Sequence, residues 1–225
     1  MESKTTQQKV EDIGIYFDNV SHRFIDEYEK KGLKKHTKFI LEFFERKNLS
    51  NLTLLELGCG VGGLLFHFLD LGVKYAYGVD LSEKMIENAK ILAKSKNYSE
   101  KTEFFVGDFN SVKRDVLPIK YADILVADRV LCCSPVPLDI LKNMIGFNPK
   151  YIVAVQPRKN PLYKLYLGAR VRVINFKHNV KDHGAKNPYV EVKEYDKVFQ
   201  SHRYQRIFQR FRYAWEIIIY EKQGT

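Results

Sequence analysis

Apolar and polar positions follow two rhythms along this chain. Between residues 11 and 47 the apolar side chains recur at three- and four-residue spacing, with a break near Gly32. Phe39, Ile40, Phe43 and Phe44 fall on one face of the second half. That period is helical, and the stripe marks a face that packs. From Thr53 onward, short apolar runs alternate with amphipathic segments. They predict strands over 53–58, 75–80, 102–106, 122–128 and 151–155, and helices over 62–71, 82–95 and 137–145. Ser82 reads as an N-cap with Glu83 in the first turn, and Pro135 and Pro137 set the start of the helix at 137. Strands alternating with helices imply an α/β fold, a parallel sheet with helices on both faces. The chain closes differently. After a short helix near 194–202, the runs 204–211 and 213–220 adjoin almost without a linker, which predicts an antiparallel hairpin. Residues 1–10 show neither rhythm and are expected to be disordered.

The junction of the first strand and the helix after it is the most constrained stretch. Thr53 to Gly63 reads TLLELGCGVGG, with Gly58, Gly60, Gly62 and Gly63 inside six residues. Glycines at a strand-to-helix turn reach positive φ and let a ligand approach the backbone, and the helix start presents free N–H groups. Two ligands fit this loop. Gly58, Gly60 and Gly63 satisfy the dinucleotide spacing G-x-G-x-x-G, with Asp80 near the position of a ribose-binding acid. Glu56, Gly58, Gly60 and Gly62 also satisfy E-x-G-x-G-x-G. The next strands discriminate. Three successive strands end in an acid, Asp80, Asp108 (in Gly107-Asp108-Phe109) and Asp128. In an open parallel sheet these ends line one crevice.

This series resembles motifs I to IV of the class I S-adenosylmethionine-dependent methyltransferases, over roughly residues 37–157. The resemblance implies a Rossmann-like, seven-stranded, mostly parallel sheet whose last strand inserts antiparallel. It implies S-adenosyl-L-methionine as cofactor and an N-terminal helical lid over 1–50, ahead of a methyltransferase domain over 51–225. It also implies the roles of the loop residues. Gly58, Cys59, Gly60 and Gly62 admit the methionine end of the cofactor, and Glu56 holds its ammonium. Asp80, with Leu81 and Met85 beyond it, holds the ribose, and Asp108 and Phe109 meet the adenine. Asp128 meets the amino-acid part. Tyr16-Phe17, the run Leu55 to Gly62, the run Asp80 to Met85 and a Pro after the fourth strand are similar to those of the magnesium-protoporphyrin O-methyltransferases and their small-molecule relatives. Where those enzymes carry a His two residues before that Pro, this chain has Cys133.

Composition then sharpens the acceptor question. The net charge is +10, and residues 157–212 alone carry fourteen Lys/Arg against four Asp/Glu, so the basic character is local. Within it, residues 160–178 read as an inserted helix, the core of a basic helical insertion near 158–190. Leu162, Leu165, Tyr166 and Ala169 stand beside Lys164, Arg170 and Arg172. Such a segment suits an anionic small molecule, an anionic membrane surface or nucleic acid. His178 and His183 flank an expected loop. Three cysteines, two of them adjacent, form neither a disulfide framework nor a zinc signature, which fits a reducing interior. No apolar run approaches the ~18 residues of a membrane span, and residues 1–12 lack a signal peptide's apolar core. A cytoplasmic location is expected.

The acceptor side is the open part of the reading. After the fourth strand the chain reads ADRVLCCSPVP, without the [DNS]-P-P-[YF] grip of base-amino methyltransferases or the Pro-Cys of cytosine-C5 enzymes. Tyr16, Tyr28, His22 and Cys133 are the candidate acceptor-side residues. The reading is O- or N-methylation of a small molecule bearing a carboxylate or phenol. An RNA or protein acceptor held by the basic segment, and a non-catalytic cofactor-binding partner subunit, are the alternatives.

Overall fold

The computed structural model of the protein describes residues 5–109, 118–177 and 190–224. The loop expected around His178 and His183 lies outside the described residues. The N-terminus forms two helices, α1 (Thr6–Lys31) and α2 (Lys35–Phe44). Residues 6–10 belong to α1 and are not disordered. The Thr5 hydroxyl accepts from the Gln8 amide while the Gln8 side chain accepts from the Thr5 amide, a reciprocal cap that satisfies two otherwise orphaned donors. Gly32, at φ +62, ends the helix as its C-cap.

Then come β1 (Thr53–Leu57), α3 (Gly63–Asp70), β2 (Tyr75–Asp80), α4 (Glu83–Ser95), β3 (Thr102–Val106), β4 (Ile124–Asp128), α5 (Pro137–Gly146) and β5 (Tyr151–Pro157). The chain closes with α6 (Pro161–Lys177), α7 (Val192–Gln200), β6 (Tyr204–Arg212) and β7 (Trp215–Lys222). The sheet order is β3-β2-β1-β4-β5-β7-β6. β1 to β5 run parallel, and β7 inserts antiparallel between β5 and β6. The order reverses between β1 and β4, so a crevice opens at the carboxyl ends of these two strands.

Alternation along each strand feeds two cores. Leu54, Val153 and Ile219 face Ile40, Phe44 and Phe68 from α2 and α3. Leu55, Ile152 and Ile218 face Leu141 and Met144 of α5 and Tyr195 and Phe199 of α7. A sheet covered on both faces needs near-continuous apolar strands, and β4, β5 and β7 have them. The edge strand behaves otherwise. A register shift between Arg206 and Phe208 leaves Phe208 packed on the core, while Ile207 and Phe211 are exposed. The alternation along β6 therefore does not carry its apolar residues all to one side.

α1 and α2 cross over the crevice, each held by a carboxylate. Asp18 on α1 accepts from the Ser82 hydroxyl (2.6 Å) and the Lys84 amide (3.1 Å), beside the amino end of α4. The same Ser82 hydroxyl accepts from the Met85 amide as the N-cap of α4. Asp128, at the end of β4, accepts from His36 Nε2 (3.2 Å) and the Thr37 hydroxyl (3.1 Å) at the start of α2. Gly14 lets α1 approach closely, since a Cβ there would lie 3.3 Å from the Leu81 carbonyl oxygen. The variant Asp18→Ala loses two hydrogen bonds to a charged acceptor. It should lower stability by about 1.5–3 kcal/mol. Urea unfolding checks this, and limited proteolysis should show the first cuts moving into α1.

Candidate active site

The glycine loop and the end of β2 form one hydrogen-bonded unit. The amides of Gly58 and Cys59 both donate to the Val79 carbonyl (2.7 and 3.1 Å), and the Gly60 amide donates to Asp80 Oδ2 (2.8 Å). Asp80 Oδ1 accepts from the Ser82 amide (3.0 Å). Two glycines serve different ends. At Gly58, φ +67, a Cβ would lie 2.2 Å from a Val130 methyl, so the loop packs directly on the chain after β4. At Gly60, φ +54, a Cβ would meet nothing within 4 Å, so this backbone faces open space.

That space is a cavity of about 1190 Å³. Its floor is Gly58, Gly60, Asp80 and Asp128; α1 and the α1–α2 junction form one wall. α6 and the β6–β7 turn form the other. Burial pushes the Asp80 carboxyl up to about 6, against the hydrogen bonds from Ser82 and Gly60. Burial, with Asp128 nearby, pushes Glu56 well above the carboxylate range, and its Oε2 has no partner among the described residues. Burial also pushes Asp128 upward, but Arg129, His36 and Lys34 outweigh it and hold that carboxyl well below its usual range.

A family model described as a methyltransferase domain matches residues 48–212. The chain belongs to the methyltransferase-domain family. In architecture the domain has the fold of the class I S-adenosylmethionine-dependent methyltransferases. It resembles magnesium protoporphyrin IX methyltransferase from Synechocystis PCC 6803, solved with S-adenosylhomocysteine bound, at a TM-score of 0.71 and 15% identity, covering 94% of this chain and 98% of that one. The [4+2]-cyclase SpnF superposes at a TM-score of 0.67 with 12% identity, covering 99% and 98%. Ribosomal protein L11 methyltransferase of Shewanella sp. (strain W3-18-1) is 29% identical over 108 residues. That match takes in 44% of this chain and 37% of the relative, so it spans little more than a third of the relative's length. The cyclase shows that this fold alone does not fix a reaction.

The residues of this methyltransferase domain fit the family's cofactor on two observations. The backbone at Gly60 opens into a cavity, and behind the loop a buried Glu56 oxygen lacks a partner among the described residues. Of the residues read from the sequence, Gly58, Gly60, Asp80, Leu81, Met85, Phe109 and Asp128 line the cavity, together with Tyr16 and Cys133. Glu56, Cys59 and Gly62 are buried and do not line it. Asp108 is half-buried next to Phe109.

Two acceptor-side candidates fall elsewhere. The Tyr28 ring covers Gly63, where a Cβ would lie 2.7 Å away, and packs on Phe66 and His67 outside the cavity. His22 is exposed on α1 and does not line the cavity. Cys133 is at the wall, but its thiol lies 3.8 Å from the Arg129 carbonyl and 3.9 Å from the Cys132 sulfur.

Four cavity groups escaped the sequence reading. Lys34 is pushed down to about 7 by burial and by Arg129, against Glu27, whose carboxylate lies 3.5 Å away. His36 is buried beside Trp215, and burial lowers it despite Asp128. Arg129, at φ +63, joins Asp128 and lies over the Trp215 ring. Arg23 completes the set from α1. The signals were the Lys-Lys-His-Thr run after Gly32 and the Arg after Asp128. Both are ordinary polar stretches until the fold brings them together. The Gly58→Ala variant forces a side chain into Val130 at a left-handed φ, and should cost about 2–4 kcal/mol. A fall in the thermal midpoint checks this.

Proposed function

We propose that the protein transfers a methyl group from S-adenosylmethionine to an anionic small molecule, one bearing a carboxylate or an acidic phenol. One observation carries this reading. The cavity is continuous from the glycine loop to a compartment walled by Arg23, Lys34, Arg129 and Arg170, with Tyr16, Tyr163 and Trp215 between them. At about 1190 Å³ it exceeds the roughly 300–1,000 Å³ of a typical small-molecule site, so cofactor and acceptor fit side by side.

When bound, the cofactor supplies an electrophilic methyl group on a sulfonium. The chain supplies the rest. Gly58 and Gly60 admit the cofactor to the backbone, Glu56 balances its ammonium and Asp80 accepts from its ribose hydroxyls. Leu81, Met85 and Phe109 give it apolar cover, and Asp108 stands near for the adenine edge. On the other side, the cations favour the ionised, nucleophilic form of a carboxylate or phenol. Lys34, pushed down to about 7, can in its deprotonated form take up the proton of a phenol at Nζ. α1 and α6 exclude water from the reacting atoms. The basic residues lie in the cavity wall as well as on the surface, which supports a small acceptor over an RNA held only outside.

A screen of carboxylic acids and phenols with labelled cofactor tests the reading. Arg23→Gln should raise the acceptor KM about tenfold and leave S-adenosylhomocysteine affinity within about twofold. An unchanged KM would remove Arg23 from the acceptor site.

The Asp80 carboxyl gives a pH signature. In the folded chain it stays protonated up to about 6, against an ordinary value of 3.8. Ionisation therefore costs stability as pH rises through that window. Cofactor binding has the opposite sign, because the ribose needs the acceptor form. S-adenosylhomocysteine affinity should fall as pH drops below about 6. In Asp80→Asn this step should vanish, and affinity at pH 8 should be lower by about 1.5–3 kcal/mol. Calorimetry from pH 5 to 8 reads both.

A further inference from the structure

α6 is apolar on two sides, which a helix covering a cavity in water does not require. Its inner side carries Tyr163, Leu167 and Val171 into the cavity wall, and Asn175 there accepts from the Tyr16 hydroxyl at 3.0 Å. The outer side carries Leu162, Leu165, Tyr166, Ala169, Val173 and Phe176. At 3.6 residues per turn these six fall within an arc of about 100°. They are not covered: Leu162 is 76% exposed, Leu165 71%, Tyr166 54%, Val173 65% and Phe176 91%. Arg172 borders the arc on one edge, Lys177 and Arg170 on the other, and all three are exposed. The α6 sequence contains no Asp or Glu. An apolar stripe flanked by cations on both edges is the pattern of a helix that lies in a lipid interface. Phe211 and Tyr213 on the hairpin are also 49% and 55% exposed, and Arg158 lies over both Phe211 and Tyr163.

We propose that α6 docks on the surface of a membrane containing anionic lipid. Its outer apolar side enters the headgroup boundary and its flanking cations meet lipid phosphates. Charge selects this occupant over the others. A second copy of the chain would bring Arg170, Arg172 and Lys177 against the same three cations. A nucleic acid would satisfy the cations but leave Leu165, Val173 and Phe176 against a polar backbone. The stripe is also convex, and a bilayer accommodates projecting side chains without a matching groove. Among the described residues no helix is long and apolar enough to cross a membrane, so the contact is with the surface. Leu162, Tyr166 and Arg170 line the cavity too, and docking turns its rim toward the headgroups.

Co-sedimentation of the full chain with vesicles tests the proposal, independently of methyl transfer. Vesicles of equal phosphatidylglycerol and phosphatidylcholine should carry the protein down at low salt. Pure phosphatidylcholine should do so at least about tenfold more weakly. The double variant L165E/F176E should lose at least about tenfold on the anionic vesicles. Neither side chain lines the cavity, and a thermal midpoint within a few degrees of the parent establishes its fold. As a second reporter, F176W should show an emission blue shift on anionic vesicles beyond that of the parent. Three results would overturn the proposal: a parent chain left in the supernatant, undiminished sedimentation of the double variant with no shift in F176W, or a parent dimer that the double variant dissolves.

Discussion

A carboxylate taken out of water must find donors elsewhere, and the architecture around the cavity follows from where Asp128 finds them. It is buried at the end of β4, in the middle of the sheet, where an unpaired charge costs several kcal/mol. Its donors are His36 and Thr37, ninety residues upstream, and its neighbour Arg129. Removing the N-terminal helices would therefore strand a buried charge as well as uncover apolar surface. Asp18 makes the reciprocal contact, a carboxylate on the covering helix that meets donors at the start of α4. One acid reaches up from the sheet and one reaches down to it. These two anchors fix α1 beside α4 and α2 on the end of β4, and both helices contribute to the cavity wall.

The sequence exposed what depends on local physics. β1, β2, β4 and β5 are buried on both faces, so each is a compact apolar run. The glycines after β1 are dictated by backbone angles and by Val130, and the Ser82 cap by the free amides of α4. The hairpin was legible because two strand-like runs left no room for any connection but a tight turn. At the edge strand the register shift at Ile207 turns side chains to solvent in a way that alternation alone does not assign. The start of α1 was misread as disorder because a capping box built from Thr5 and Gln8 leaves no apolar trace.

Site residues divide the same way. Those held by the strand-end geometry, Asp80 and Gly60 above all, came out together in space as their spacing implied. Tyr16 and Tyr28 are separated by a plainer cause. Twelve residues along a helix amount to a rotation of about 120°, so one ring faces the cavity while the other packs on α3. His22 is turned away from Tyr16 by a similar angle. Lys34, His36 and Arg129 were hidden because their meaning is pairwise. Burial lowers Lys34 and His36, Arg129 meets the Trp215 ring only in the fold, and no local pattern encodes that.

The cavity's electrostatics lead from this frame to the acceptor. Asp80 and Asp128 lie in its floor, and Arg23, Lys34, Arg129 and Arg170 line it as well. Under the proposed function a positively charged methyl donor would lie by Asp80 and a negatively charged acceptor by the cations. Burial first, and Arg129 after it, push Lys34 down to about 7, so the ammonium lacks sufficient compensation. Glu27 offsets part of it, and its own carboxyl is lowered because Lys34, Arg23 and Arg170 together outweigh its burial. An arriving anion would supply what is missing and return Lys34 toward its usual affinity for a proton. Binding of the acceptor and protonation of Lys34 are therefore linked with positive sign, and a phenol could furnish both the anion and the proton in a single step.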